Sequence, residues 1–159
     1  MSRGKDWWDS WFLALAMQVS TASKDPSTKV GAVIARPDKT VASVGYNGFP
    51  RGLADTPSRY DDRETKYGLI VHGEMNAILS AHGSVKGCTL YTTPFAPCER
   101  CAVMVIQSGI TRVVAPTLPD HLAERWADSL AKSAALFEEA SVEFNLLDID
   151  LDALLCSKE

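Results

Sequence analysis

Two short segments, His72-Gly73-Glu74 and Pro97-Cys98-Glu99-Arg100-Cys101, gather an imidazole, a carboxylate and two thiols at spacings that suit a metal. Catalytic zinc takes three protein ligands and keeps a fourth position for water. His72, Cys98 and Cys101 supply that set, so Zn2+ is the expected cofactor. Cys98 and Cys101 are three apart on a predicted helix, which turns both sulfurs to one face. Each segment sits where a predicted helix begins, and the positive end of a helix dipole favours thiolate. Glu74 lies two residues past His72, where a helix turns it to another side. It is the expected catalytic residue, a carboxylate that takes a proton from water and later returns it to a leaving amine.

Other readings of these residues account for less. A structural zinc normally takes four protein ligands, and no fourth candidate is adjacent: Cys88 sits ten residues upstream on a predicted strand and His82 a full helix away. A thioredoxin-like pair would use Cys98 and Cys101 but leave His72 and Glu74 idle. Cys88, Cys156, His82 and His121 read as ordinary structural residues.

The elements that must position this set follow from periodicity. Residues 6–20 are apolar at Trp7, Trp8, Trp11, Phe12, Leu15, Ala16 and Val19, the spacing of a helix with one buried face, and the tryptophans read as core or interface packing. A buried strand over 29–35, a turn at Pro37-Asp38-Lys39 and an alternating strand over 40–46 predict a hairpin. Residues 47–66 read as a long polar loop. Then come a helix over 72–81, a strand over 88–92, a helix over 98–108, a strand over 112–115, a helix over 119–140 and a strand over 142–146, with a short helix in the tail 148–159. An antiparallel opening pair followed by strands joined through helices, hence parallel, predicts one α/β sheet between helical layers.

Composition sets further bounds. The 159 residues suit one domain, 46% apolar and 23% charged. Sixteen basic against twenty acidic residues give a net charge of −4 and no basic run, so no polynucleotide partner is expected. No stretch suits a membrane span, and the first residues carry no apolar signal core, which together point to a cytoplasmic protein.

The His-x-Glu and Pro-Cys-x-x-Cys pattern is the signature of zinc deaminases acting on bases. More of the chain resembles the deoxycytidylate (dCMP) deaminase family of the cytidine deaminase superfamily: residues 23–32, Gly45-Tyr46-Asn47-Gly48-Phe49-Pro50-Arg51-Gly52, Thr65-Lys66-Tyr67, residues 72–77, residues 97–102 and Ile106-Gln107-Ser108-Gly109-Ile110. The likeness runs from about residue 8 to residue 147. It implies a single zinc-dependent deaminase domain over 1–159 with a three-layer α/β/α sandwich around a five-stranded mixed sheet. It implies hydrolysis of a small nucleotide, dCMP, to dUMP and ammonia. Asn47 would bond the sugar, Ser23 and Lys24 would hold the phosphate, and the Gly73 amide would face the pyrimidine carbonyl. It also implies a homo-oligomer, a hexamer among the candidates, and dCTP and dTTP effectors at Gly48, Phe49 and Arg51.

Read as residues alone, Asn47 fits a sugar hydroxyl or a turn before Gly48 equally, and Lys24 and Arg51 fit ordinary surface charges. Two departures from the family pattern touch the base: glycine stands at 73 where alanine is usual, and the segment 92–96 is one residue longer. Glycine there would remove a methyl from the pocket floor and admit a larger base, a modified cytosine or a purine. A polynucleotide deaminase acting on tRNA or single-stranded DNA and a non-catalytic zinc-stabilised nucleotide sensor are the remaining alternatives.

Overall fold

The computed structural model describes residues 2–118, 120–150 and Ala153. The elements run α1 (Lys5–Ser20), β1 (Gly31–Ala35), β2 (Val41–Tyr46), α2 (Pro57–Asp61), α3 (Arg63–Leu69), α4 (Gly73–Leu79), β3 (Thr89–Thr93), α5 (Glu99–Gln107), β4 (Arg112–Pro116), α6 (Asp120–Glu139) and β5 (Glu143–Leu147). The strands form one mixed sheet in the order β2-β1-β3-β4-β5. β1 is antiparallel to both β2 and β3, whereas β3, β4 and β5 are parallel, as expected for strands joined through α5 and α6. The anticipated five-stranded sandwich is therefore present.

Every residue of β1 is buried, because helices cover both faces of the sheet. Alternate side chains serve alternate layers. Val33, Ala35, Tyr91 and Val114 pack on Phe12, Leu13 and Ala16 of α1. Ala32, Ile34, Leu90 and Val113 pack on Ala77, Ala102, Val105 and Phe137 of α4, α5 and α6. Two glycines set how closely helices approach the sheet. A Cβ at Gly31 would lie 1.9 Å from the Ala16 carbonyl oxygen of α1, and one at Gly45 would lie 2.2 Å from the Ala77 nitrogen of α4.

A buried polar clamp ties α1 to the sheet. Arg112 donates to both carboxylate oxygens of Asp9 at 2.7 Å, and the Tyr91 hydroxyl donates to the same carboxylate at 2.8 Å.

One expectation is revised, one is narrowed and one lies largely outside the described residues. The polar stretch 47–66 carries α2 and the first turn of α3, the latter capped by the Asp62 carboxylate accepting from the Glu64 N–H. Among the three tryptophans only Trp8 leans on the core; Trp7 and Trp11 are 38% and 42% exposed. Of the expected tail helix over 148–159, residues 148–150 are not helical, and the rest apart from Ala153 falls outside the described residues, as does Cys156. No helix of the described residues is long and apolar enough to cross a membrane.

Candidate active site and metal centre

One end of the strands collects the chemistry. Gly31 at the start of β1 pairs with Tyr46 at the end of β2 and Thr93 at the end of β3, so the segments just beyond all three meet there. Val30 and Asn47 lie on one side; Phe95, Ala96, Pro97 and Cys98 lead from β3 into α5 on the other. A crevice at the carboxyl ends of strands is where open α/β sheets place ligands.

His72 is the N-cap of α4 and Cys98 the N-cap of α5, with Cys101 in the first turn of that helix. This differs slightly from two cysteines within one helix, yet it still brings both sulfurs together. His72 Nδ1 lies 3.5 Å from Cys98 Sγ and 3.3 Å from Cys101 Sγ. Nitrogen and sulfur sharing a tetrahedral zinc would stand about 3.5 Å apart, given the usual Zn–N and Zn–S lengths. The donor set and spacing therefore fit zinc. The three form a group whose donor atoms lie within 4.8 Å of one another, and no other described His, Cys, Asp or Glu joins it. Three ligands without a fourth is the arrangement of a catalytic centre.

Glu74 sits beside the trio, 3% exposed, with Oε2 accepting from Cys101 Sγ at 3.8 Å. Burial pushes its carboxyl above the usual range, against the opposing pull of His72. The Cys98 thiol is drawn down to about 4 by hydrogen bonds from Cys101 and His72 that outweigh burial. Cys101 moves the other way, because it donates to Cys98, is buried and faces Glu74. His72 is raised mainly by its hydrogen bond with Cys98. One thiolate is thus favoured even before a cation is considered.

The cavity above this floor is lined by Val30, Ile70, Phe95 and Trp126, together with the polar Asn47 and Lys66. Phe95 and Trp126 pack with ring centroids 5.0 Å apart and form an aromatic wall. Lys66 is 6% exposed and bonds to Asp25 and Ser27 at 2.8 and 3.1 Å. Asp25 also accepts from the Ser27 N–H and from Asn47, bracing the loop before β1.

The expected nucleotide contacts separate in space. Asn47 lines the cavity, but its amide is engaged: Oδ1 accepts from the Val30 N–H at 2.8 Å and Nδ2 donates to the Thr28 carbonyl at 2.9 Å. Ser23 is 2% exposed and donates to the Asn47 carbonyl. Lys24 points away and pairs with Asp55 at 2.8 Å. With Gly48, Phe49 and Arg51 it lines a second cavity that meets the first at Asn47, and there Phe49 stacks on Tyr60 at 4.4 Å.

Gly73 requires a correction of cause. A Cβ there would meet Val30 Cγ1 and the Val30 carbonyl at 3.2 Å and the Gly45 carbonyl at 3.4 Å. The missing methyl would therefore fill a tight contact with Val30, just before β1, and with Gly45 of β2, so its loss frees no room for a larger base. Phe95, Lys66, Arg125 and Trp126 were not assigned roles from the sequence. The Thr65-Lys66-Tyr67 match was the one hint toward Lys66, and nothing in the periodicity of α6 marked Arg125 and Trp126.

Comparison with known proteins gives a consistent picture. Residues 6–117 match the model of the "Cytidine and deoxycytidylate deaminase zinc-binding region". An uncharacterized deaminase in the luxG 3′ region of Aliivibrio fischeri is 41% identical over 144 residues, 91% of this chain and 96% of its own. The deoxycytidylate deaminase of Homo sapiens is 37% identical over 145 residues, 86% of this chain and 78% of its own. In structure, the dCMP deaminase of cyanophage S-TIM5, crystallised with dCMP and dUMP, superposes with a TM-score of 0.69 at 19% identity over 92% of this chain and all of that one.

Proposed function

Because the chain belongs to the cytidine and deoxycytidylate deaminase zinc-binding family, we propose that it hydrolyses dCMP to dUMP and ammonia. The observation that carries this reading is the buried Glu74 beside a three-ligand His72, Cys98 and Cys101 group at the floor of an aromatic-walled cavity. The 37% identity to a deoxycytidylate deaminase supports the choice of base.

His72, Cys98 and Cys101 would hold the zinc, which would supply a Lewis acid that brings water within reach of deprotonation near neutral pH. The remaining work falls to the chain. Phe95 and Trp126 flank the base and exclude solvent from its amine-bearing carbon. The Gly73 N–H, at the start of α4, faces the pyrimidine carbonyl. Asn47 offers the sugar the second lone pair of Oδ1, since its other hydrogen-bonding positions are taken by Val30, Thr28 and Asp25. Glu74 takes a proton from water and passes it to the ring nitrogen as the hydroxide adds to the amine-bearing carbon; it then takes the proton of the new hydroxyl and gives it to the amine as the C–N bond breaks, leaving the carbonyl of dUMP and ammonia. Its burial beside the reacting atoms keeps that proton from bulk water.

The loop at Gly48, Phe49 and Arg51, with its own cavity, suits an effector nucleotide such as dCTP or dTTP. A cytoplasmic homo-oligomer, with a hexamer among the candidates, completes the proposal. Ammonia release from a panel of nucleosides and nucleotides tests it. dCMP is expected to be the preferred substrate. Preference for a purine, or no release from any member by zinc-loaded protein, would overturn it.

A further inference from the structure

The deep cavity opens outward past Lys66, Tyr67 and Arg125 into a second pocket that shares those three walls and adds Ser27, Tyr60, Asp61 and Arg63. A nucleotide with its base on the cavity floor would direct its far end there.

The charges in this outer pocket are unevenly neutralised. Lys66 is matched by Asp25 at 2.8 Å. Arg63 and Arg125 make no ion pair among the described residues. Asp61 is the one carboxylate in the wall. Both guanidiniums attend the same phenol ring, Arg63 at 5.4 Å and Arg125 at 5.7 Å from its centroid. Arg125 also lies 5.0 Å from the Trp126 ring and donates to the Tyr67 hydroxyl. Two like charges gathered at one ring without acidic partners leave an excess of positive potential that an anion would relieve. Guanidinium forks match phosphate oxygens two at a time.

Resting on the proposed dCMP reading, we infer that Arg125, with Arg63 and the Tyr67 hydroxyl, grips the substrate's phosphomonoester in the outer pocket, and that Ser23 and Lys24 do not. The Ser23 hydroxyl is committed to the Asn47 carbonyl, and the Lys24 ammonium to Asp55 in a cavity that meets the deep one at Asn47 alone, with Lys24 in the wall of neither the deep nor the outer pocket. Arg125 and Arg63 are thus specificity-determining residues that select nucleotide over nucleoside.

The test compares kcat/KM on dCMP and on deoxycytidine for the zinc-loaded full chain and its Arg125→Gln, Arg125→Lys, Arg63→Gln and Lys24→Ala variants. Loss of a charged hydrogen bond predicts that Arg125→Gln lowers the preference for dCMP about tenfold to a hundredfold, through KM for dCMP, with a much smaller change on deoxycytidine. Arg63→Gln lowers the preference less, Arg125→Lys restores part of it, and Lys24→Ala leaves it as it was. Equal losses on both substrates, an unchanged preference in Arg125→Gln, or a fall in Lys24→Ala would overturn the inference. A second readout is independent of turnover: titration of inorganic phosphate followed by its 31P signal. Saturable binding in the wild type that is lost in Arg125→Gln supports the grip even if dCMP proves not to be the substrate. Absent binding, or equal binding in both proteins, refutes it.

Discussion

Replacing Gly45 with alanine tests how the sheet positions the catalytic helix. The added Cβ would stand 2.2 Å from the Ala77 nitrogen, 2.4 Å from the Gly73 carbonyl oxygen and 2.8 Å from the Asn76 carbonyl carbon. All three are backbone atoms of α4, so no side chain can swing aside. Comfortable contact begins at about 3.5 Å, and the helix must therefore retreat by about 1 Å. It carries His72 at its cap and Glu74 in its first turn. A shift of that size in a catalytic group costs on the order of 100-fold in rate, and overpacking costs about 1–3 kcal/mol of stability, with the upper end expected for immobile neighbours. Ammonia-release kinetics with zinc content, alongside urea unfolding, would measure both. Gly68→Ala is the control, since nothing lies within 4 Å of its added Cβ in α3. It should be neutral or gain about 0.4–1 kcal/mol. A Gly45→Ala protein with wild-type kcat and wild-type unfolding midpoint would refute the claim that direct backbone contact fixes α4.

Two further substitutions probe buried charge. Lys66→Met strands the Asp25 carboxylate, 3% exposed and otherwise bracing residues 25–30; urea unfolding should show a loss of about 3–5 kcal/mol, with part regained in the double variant Lys66→Met/Asp25→Asn, and a loss near zero would contradict the pairing. For Asp9, burial alone would raise the carboxyl, but hydrogen bonds from Arg112 and Tyr91 and the charge of Arg112 hold it below its ordinary 3.8. A depressed folded-state value contributes stability that is fully present above the unfolded value and lost as pH falls below it through the folded one. Asp9→Asn should therefore be less stable at neutral pH, and below about pH 4 its stability should fall less steeply than the wild type's. Parallel acid limbs would show that the clamp contributes nothing to the pH dependence.

The metal set was legible because its residue types are rare, closely spaced and placed at helix starts: His72, Glu74, Cys98 and Cys101 needed no knowledge of long-range packing to be read together. The sheet was legible for a related reason, since apolar runs such as 31–35 and 113–115 are continuous. What escaped depends on contacts between distant segments. Lys24 and Lys66 look alike as lysines in polar stretches, yet one is exposed beside Asp55 and the other buried beside Asp25. Arg125 and Trp126 lie on a long amphipathic helix where nothing local marks the turn that reaches the cavity. The short helices α2 and α3 are polar and interrupted at Asp62, so periodicity could not separate them from a loop. Gly73 was read as open space because the sequence could not say that Val30 and Gly45 occupy its surroundings.

The proposed chemistry turns on a carboxylate that moves protons next to a three-ligand zinc site. Zinc content and ammonia release measured together on the wild type and on Glu74→Gln address it directly. Both proteins should hold one zinc ion per chain, while the variant should lose nearly all turnover on dCMP. A variant that still releases ammonia at the wild-type rate, or a wild-type chain that folds without zinc and is unaltered by it, would contradict the account.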